Sequence, residues 1–176
     1  MWKIIKVKVE PLTSEAFKPF GEVIESFEEA QPPVRKGGLK ENAYTVTADL
    51  SEASSQSPPK PTPLSEGIKR AHFAFHTDAG QSFYPSRHCP TVYFVGLVQP
   101  GLEAEDVRAF YTDGSLGICM GLEVWHTMPI CVEGTEVYKT ARGDQDYQAH
   151  SVEVDFDLEQ GLVLEPDLEG FDAPDR

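Results

Sequence analysis

Two short segments carry the side chains best suited to proton transfer or ligation near neutral pH. They are His76-Thr77-Asp78-Ala79-Gly80-Gln81-Ser82-Phe83-Tyr84-Pro85 and Gly117-Ile118-Cys119-Met120-Gly121-Leu122-Glu123-Val124-Trp125-His126-Thr127-Met128-Pro129. Each places one histidine, the side chain whose unperturbed pKa lies closest to physiological pH, in an extended, glycine-punctuated context. Alternate residues of a strand share a face. His126 therefore goes with Val124 while Trp125 turns to the opposite side, and Gln81, Phe83 and Pro85 fall together. His76 shares its face with Ala74 and His72. One amide and up to three imidazoles can then meet in one pocket.

Such a set serves three chemistries. A divalent metal would be held by His76, His126 and a carboxylate, for which Glu123 is the candidate if a bulge near Gly121 turns it inward. A metal-free acid–base reaction would use one histidine as base, with a partner fixing its tautomer. A binding site would need only shape and a few polar anchors. His88 and His150, in a turn and at a strand start, read as structural. An anionic substrate needs a cation, and arginine gives the bidentate fork. Arg87, Lys139 and Tyr84 are the candidate substrate contacts, with Arg142 beside the turn that follows Lys139 as a further cation. Cys89, Cys119 and Cys131 are odd in number and lack a metal-knuckle spacing, so they read as buried thiols, Cys119 among them as a small hydrophobe. Phosphate-cradling glycine loops, dinucleotide fingerprints and nucleophile elbows are absent from the sequence.

The elements that must position these residues are mostly strands. Residues 3–9 alternate lysine with Ile5, Val7 and Val9, and 21–25 returns to an extended pattern. Between them Thr13 or Ser14 caps a short helix that Pro19 and Gly21 hold to about two turns. From Ile68 to Val154 the pattern predicts strands at 69–76, 80–85, 91–98, 107–111, 116–120, 122–126, 128–132, 135–139 and 150–155, separated by turn residues. Many short strands of this kind predict a closed antiparallel barrel or sandwich. Residues 28–66 read as a proline-rich loop insertion, a lid or a passive excursion, with one strand at 43–48. Residues 158–176 read as an acidic tail that drapes over the barrel or packs against a partner subunit.

The chain has 176 residues, enough for one domain with its own core. Lys plus Arg total 15 against 29 Asp plus Glu, for a formal charge of −14. That surface repels phosphate backbones and anionic lipid, which argues against nucleic-acid and membrane partners and for a small-molecule substrate. No apolar run reaches transmembrane length and the N-terminus lacks a signal-peptide pattern, so a cytoplasmic location is expected.

On these residues the chain resembles the ureidoglycolate lyase family. The stretch Leu12-Thr13-Ser14-Glu15-Ala16-Phe17-Lys18-Pro19-Phe20-Gly21-Glu22-Val23-Ile24 is close to that family's opening. The family's His-Pro-Leu-Gly-Ser-Gln-Ala-Phe-Ile-Pro is similar to His76–Pro85, matching at His76, Gln81, Phe83 and Pro85. Its Gly-Val-Asn-Tyr-His-Arg-Gly-x-Trp-His-His-Pro matches at Gly117, Trp125 and His126. The resemblance implies a cupin-like antiparallel β-barrel with a short N-terminal helix, a homodimer, and a C–N lyase step of purine catabolism that yields glyoxylate and urea. It implies catalytic roles for His126, His76 and Gln81: His126 as base or ligand, His76 as its partner and Gln81 as the orienting amide. Glu123, read from its own chemistry beside His126, is the candidate acid or added metal ligand. The chain departs from the family at several places that bear on the pocket. Phe75 stands where the family has Arg, and Cys119, Gly121, Leu122 and Glu123 stand where it has Asn, His, Arg and Gly. If those family residues line the pocket, the pocket here is more apolar. The alternatives are then a metal-dependent cupin acting on a less charged molecule, or a barrel that binds without catalysis.

Overall fold

The computed structural model describes residues 2–34, 46–49, 68–98, 101–133, 135–143 and 147–174. Its first half contains β1 (Lys3–Pro11), α1 (Ser14–Phe17), β2 (Gly21–Ile24), β3 (Val46–Asp49), β4 (His72–His76), β5 (Gln81–Pro85) and β6 (Thr91–Leu97). There follow β7 (Arg108–Thr112), β8 (Gly117–Met120), β9 (Val124–His126), β10 (Ile130–Cys131), β11 (Thr135–Ala141), β12 (Ser151–Asp155), α2 (Phe156–Glu159) and β13 (Leu162–Asp167). These strands form an eight-stranded sheet in the order β12-β4-β9-β6-β7-β1-β13, with β10 beside β6, and a five-stranded sheet in the order β2-β8-β5-β11-β3. The all-β architecture expected from the turn spacing, and the cupin-like form that the resemblance implies, are those observed. Most of the insertion 28–66, and with it any lid, lies outside the described residues.

Alternation decides which side chains face inward. On the small sheet Phe83, Ile118 and Met120 point to the larger sheet, and on the large sheet Tyr93, Val95, Phe110 and Val124 point back. The opposite face of the large sheet packs a second core, in which Phe73, Phe94, Trp125 and Phe156 take part. Each fully buried phenylalanine here contributes on the order of 2–3 kcal/mol. Helix α1 closes one end of the interior. The Thr13 hydroxyl accepts from the Ala16 amide at 3.2 Å, and Phe17 meets Phe110 edge-on with centroids 5.4 Å apart.

Two expectations change. The barrel is not wholly antiparallel, because β1 runs parallel to both β7 and β13. Both partners are distant in sequence, so no tight hairpin forces the antiparallel sense. The C-terminal segment is also more than an acidic tail. Its residues 162–167 pair with β1 from Lys3↔Leu162 to Lys8↔Asp167, and Phe171 then packs on Tyr111 at 5.1 Å.

One buried carboxylate went unread in the sequence. Glu136 is fully buried on β11, and its two oxygens accept from the Arg87 and Cys89 amides, each at 2.8 Å. It thus holds the turn between β5 and β6 against β11. Truncation would strand those two donors inside the protein, at about 1–3 kcal/mol each. Glu136→Ala should lower the unfolding free energy by about 3 kcal/mol in urea titration. Loss below about 1 kcal/mol would show that water takes over the acceptor role.

Candidate active site

The two histidines sit on adjacent strands of the large sheet with their rings inward. Ala74 on β4 and Val95 on β6 flank His126 in register, so His76, two residues beyond Ala74, projects to the same side as His126. Trp125 projects to the other core, where it meets Phe75 edge-on at 4.6 Å. Across the interior Gln81 opens β5 and pairs with Met120 of β8. The imidazole centroids stand 5.1 Å apart. One terminal atom of the Gln81 amide lies 2.9 Å from His76 Nε2 and 3.0 Å from His126 Nε2, and the other lies 3.2 Å from Thr140 Oγ1. All four side chains are buried, with exposures of 6% for His76, 8% for Gln81, 8% for His126 and 1% for Thr140.

The hydrogen bonds around this cluster fix its protons. His126 Nδ1 lies 2.9 Å from the Val124 carbonyl, which can only accept, so Nδ1 carries the hydrogen. Burial, to which His76 adds whenever it is protonated, pushes the His126 pKa down to about 3, so the ring is neutral and its Nε2 presents a lone pair. An amide oxygen facing that lone pair would repel it. The amide nitrogen satisfies the site instead: its two hydrogens go to the two Nε2 atoms, and its oxygen accepts from the Thr140 hydroxyl. We assign the Gln81 rotamer on this ground, since amide oxygen and nitrogen are told apart by their partners. His76 then carries its hydrogen on Nδ1 and donates to Ser151 Oγ at 2.8 Å. Burial also lowers the His76 pKa. An amide oxygen of Gln81 and the Asp78 carboxylate would oppose that lowering, whereas Arg142 adds to it.

The other sequence candidates lie elsewhere. The Glu123 backbone N–H donates to the His76 carbonyl at 3.1 Å. Its residue borders a groove of about 490 Å³ lined also by Lys18, Phe20, Leu97, Gly121 and Leu122. The bulge expected near Gly121 exists as a turn, with Glu123 in the left-handed region at φ 60°. Among the described residues no three His, Cys, Asp or Glu side chains gather as a metal-binding group. A cation at the cluster would thus draw on His76, His126 and the Gln81 amide oxygen, without Glu123. Arg87 is exposed in the turn after β5. Lys139 is exposed too, its ammonium 5.7 Å from the Phe27 ring, and it pairs in register with Tyr84, whose hydroxyl donates to the Glu25 carbonyl at 2.9 Å. Those two lie on the outer face of the small sheet, because Thr140 and Phe83 take the inner one. His72 pairs at the surface with Asp155 at 2.9 Å rather than joining the imidazoles. Thr140 and Ser151, which complete the network, were not singled out in the sequence. Thr140 was readable only once β11 was set against β5.

Comparisons with known proteins cover the stretch of chain that carries this site. The sequence model described as Ureidoglycolate lyase matches residues 4–160. The chain belongs to the ureidoglycolate lyase family. It is 30% identical over 180 residues to the ureidoglycolate lyase of Pseudomonas savastanoi pv. phaseolicola (strain 1448A / Race 6), covering 94% of this chain and 99% of that protein. The ureidoglycolate lyase of Pseudomonas syringae pv. syringae (strain B728a) is 30% identical over 182 residues with the same coverage. That of Burkholderia mallei (strain NCTC 10229) is 29% identical over 128 residues, 68% of this chain and 72% of that protein.

Phe75, Cys119, Gly121 and Leu122, which depart from the ureidoglycolate lyase pattern, fall outside the imidazole cluster. Phe75 faces Trp125 in the outer core, and Gly121 and Leu122 border the groove. Cys119 pairs with Ser82 and alternates with the inward Ile118 and Met120; burial pushes its thiol pKa up to about 11. Replacing those family residues therefore leaves the His76–Gln81–His126 arrangement intact. Gln81→Glu would set a carboxylate between two neutral rings and favour their charged forms. The His126 pKa should then rise by roughly two pH units or more in an NMR titration. An unchanged His126 titration would show that residue 81 does not contact it.

Proposed function

We propose that this protein is a ureidoglycolate lyase that releases urea from ureidoglycolate and leaves glyoxylate. The observation that carries the reading is the convergence of two neutral imidazole Nε2 lone pairs on one buried amide, in a chain of this family. The reaction needs a base for the substrate hydroxyl and a proton for the departing nitrogen. A neutral imidazole supplies both in sequence. His76 Nε2 takes the hydroxyl proton, the oxygen's electron pair forms the carbonyl as the C–N bond breaks, and the imidazolium returns the proton to the urea nitrogen.

The geometry favours His76 as the base, whereas the sequence placed His126 in that role. A His76 imidazolium has Ser151 at its Nδ1 and the Asp78 carboxylate nearby. Protonated His126 would be opposed by burial and by His76. His126 then acts as a hydrogen-bond acceptor that orients the substrate, and Gln81 holds both rings in one tautomer until substrate displaces its hydrogens. Burial of the cluster keeps water from competing for these bonds. Homodimeric assembly, which the family resemblance implies, and a cytoplasmic location belong to the same proposal. Among the described residues no helix is long and apolar enough to cross a membrane.

Urea and glyoxylate release from racemic ureidoglycolate, with and without a chelator, tests the reading. His76→Ala should lower kcat by roughly 100-fold or more. Absence of release by the wild-type protein would refute the assignment and send the search to less charged substrates. Because burial lowers the His76 pKa, the active neutral form should persist below the ordinary histidine range. The acid limb of kcat/KM should accordingly fall below pH 6.5. An acid limb centred above that value would contradict His76 as the base.

A further inference from the structure

A polar corner lies beside His76 that the proton chemistry above does not use. Two residues past His76, the Asp78 carboxylate packs against Gly143, where a larger side chain would displace it. The residue before that glycine is Arg142. It follows Ala141, which pairs with Ser82, so strand alternation puts Arg142 on the face of Thr140, the residue that contacts Gln81. Asp78 and Arg142 both act electrostatically on His76, with opposite sign. Asp78 Oδ1 is buried, yet among the described residues it accepts no hydrogen bond. A buried carboxylate oxygen without a donor is a costly arrangement that a ligand's N–H would relieve. Arg142, the residue before Gly143, carries the guanidinium fork that suits a carboxylate, here that of the ligand.

We propose that Asp78 and Arg142 form the subsite that recognises a ureido acid, with Arg142 holding the substrate carboxylate and Asp78 accepting an N–H of the ureido group. This rests on the lyase reading for the identity of the ligand, and it names residues that reading leaves unassigned. The pairing sorts substrate from product. A ureido acid carries the N–H donors that Asp78 needs, and glyoxylate carries the anion without them. Asp78 therefore favours the ureido acid over glyoxylate, which speeds release of that product.

Calorimetric titration with two unreactive probes tests the subsite. N-carbamoylglycine has the carboxylate and the ureido group but no hydroxyl, and so does not enter the elimination. Glyoxylate has the carboxylate alone. The wild-type protein should bind N-carbamoylglycine at least tenfold more tightly than glyoxylate. Arg142→Gln should weaken both tenfold or more, with Arg142→Lys recovering part of the loss. Asp78→Asn, which keeps shape and folding, should weaken N-carbamoylglycine and hold or strengthen glyoxylate, so that the ratio collapses. An unchanged ratio in Asp78→Asn, or wild-type protein that binds neither probe, would overturn the proposal. The two readings fail separately. Probe discrimination lost in Asp78→Asn by a wild-type protein that releases no urea would leave the subsite standing and refute the lyase. Urea release with an Asp78-independent ratio would do the reverse.

Discussion

The Gln81 carboxamide is the contact on which the site depends, because it joins the two sheets across the interior. Gln81 and Thr140 belong to the small sheet, and His76 and His126 to the large one. Buried polar groups are costly when unpaired and rigid when fully paired. Here each amide hydrogen and the amide oxygen has a partner, and each ring nitrogen has one as well. Displacing one sheet against the other by a single residue rise, about 3.3 Å, would carry the bonds between Gln81 and the two rings beyond hydrogen-bonding distance together. The same network that sets the tautomers also fixes the separation of the sheets at the reacting atoms.

Apolar packing does the remaining positioning. Phe83 stands 6.0 Å from the His126 ring, and Trp125 anchors the same short strand from its other side. Arg70 donates to the Met128 and Pro129 carbonyls at 3.3 and 3.0 Å, which ties down the segment just after His126. Burial brings the Arg70 pKa down to about 10, still far above neutrality, so the group stays charged. A strand of only three residues is thereby held at its centre, at one face and at its exit.

Much of this was legible in the sequence. Strand alternation correctly set His126 against Trp125 and aligned Gln81 with Phe83, because both cores are lined by continuous apolar faces. Side chains that depend on strand pairing were not legible. Arg87, Lys139 and Tyr84 carry suitable chemistry, but only the register of β11 on β5 shows that the inner positions belong to Thr140 and Phe83. Ser151 reaches His76 through a pairing across 75 residues. The departures from the family pattern likewise became interpretable once Phe75 was seen to face away from the cluster.

The chemistry of the site turns on two neutral imidazoles that present convergent Nε2 lone pairs to a single amide. Long-range proton–nitrogen NMR correlations on protein labelled with nitrogen-15 in histidine, recorded at neutral pH, measure this without substrate. The account predicts that His76 and His126 both show a protonated Nδ1 and an unprotonated Nε2. A hydrogen on either Nε2, or an imidazolium at either position, would contradict it.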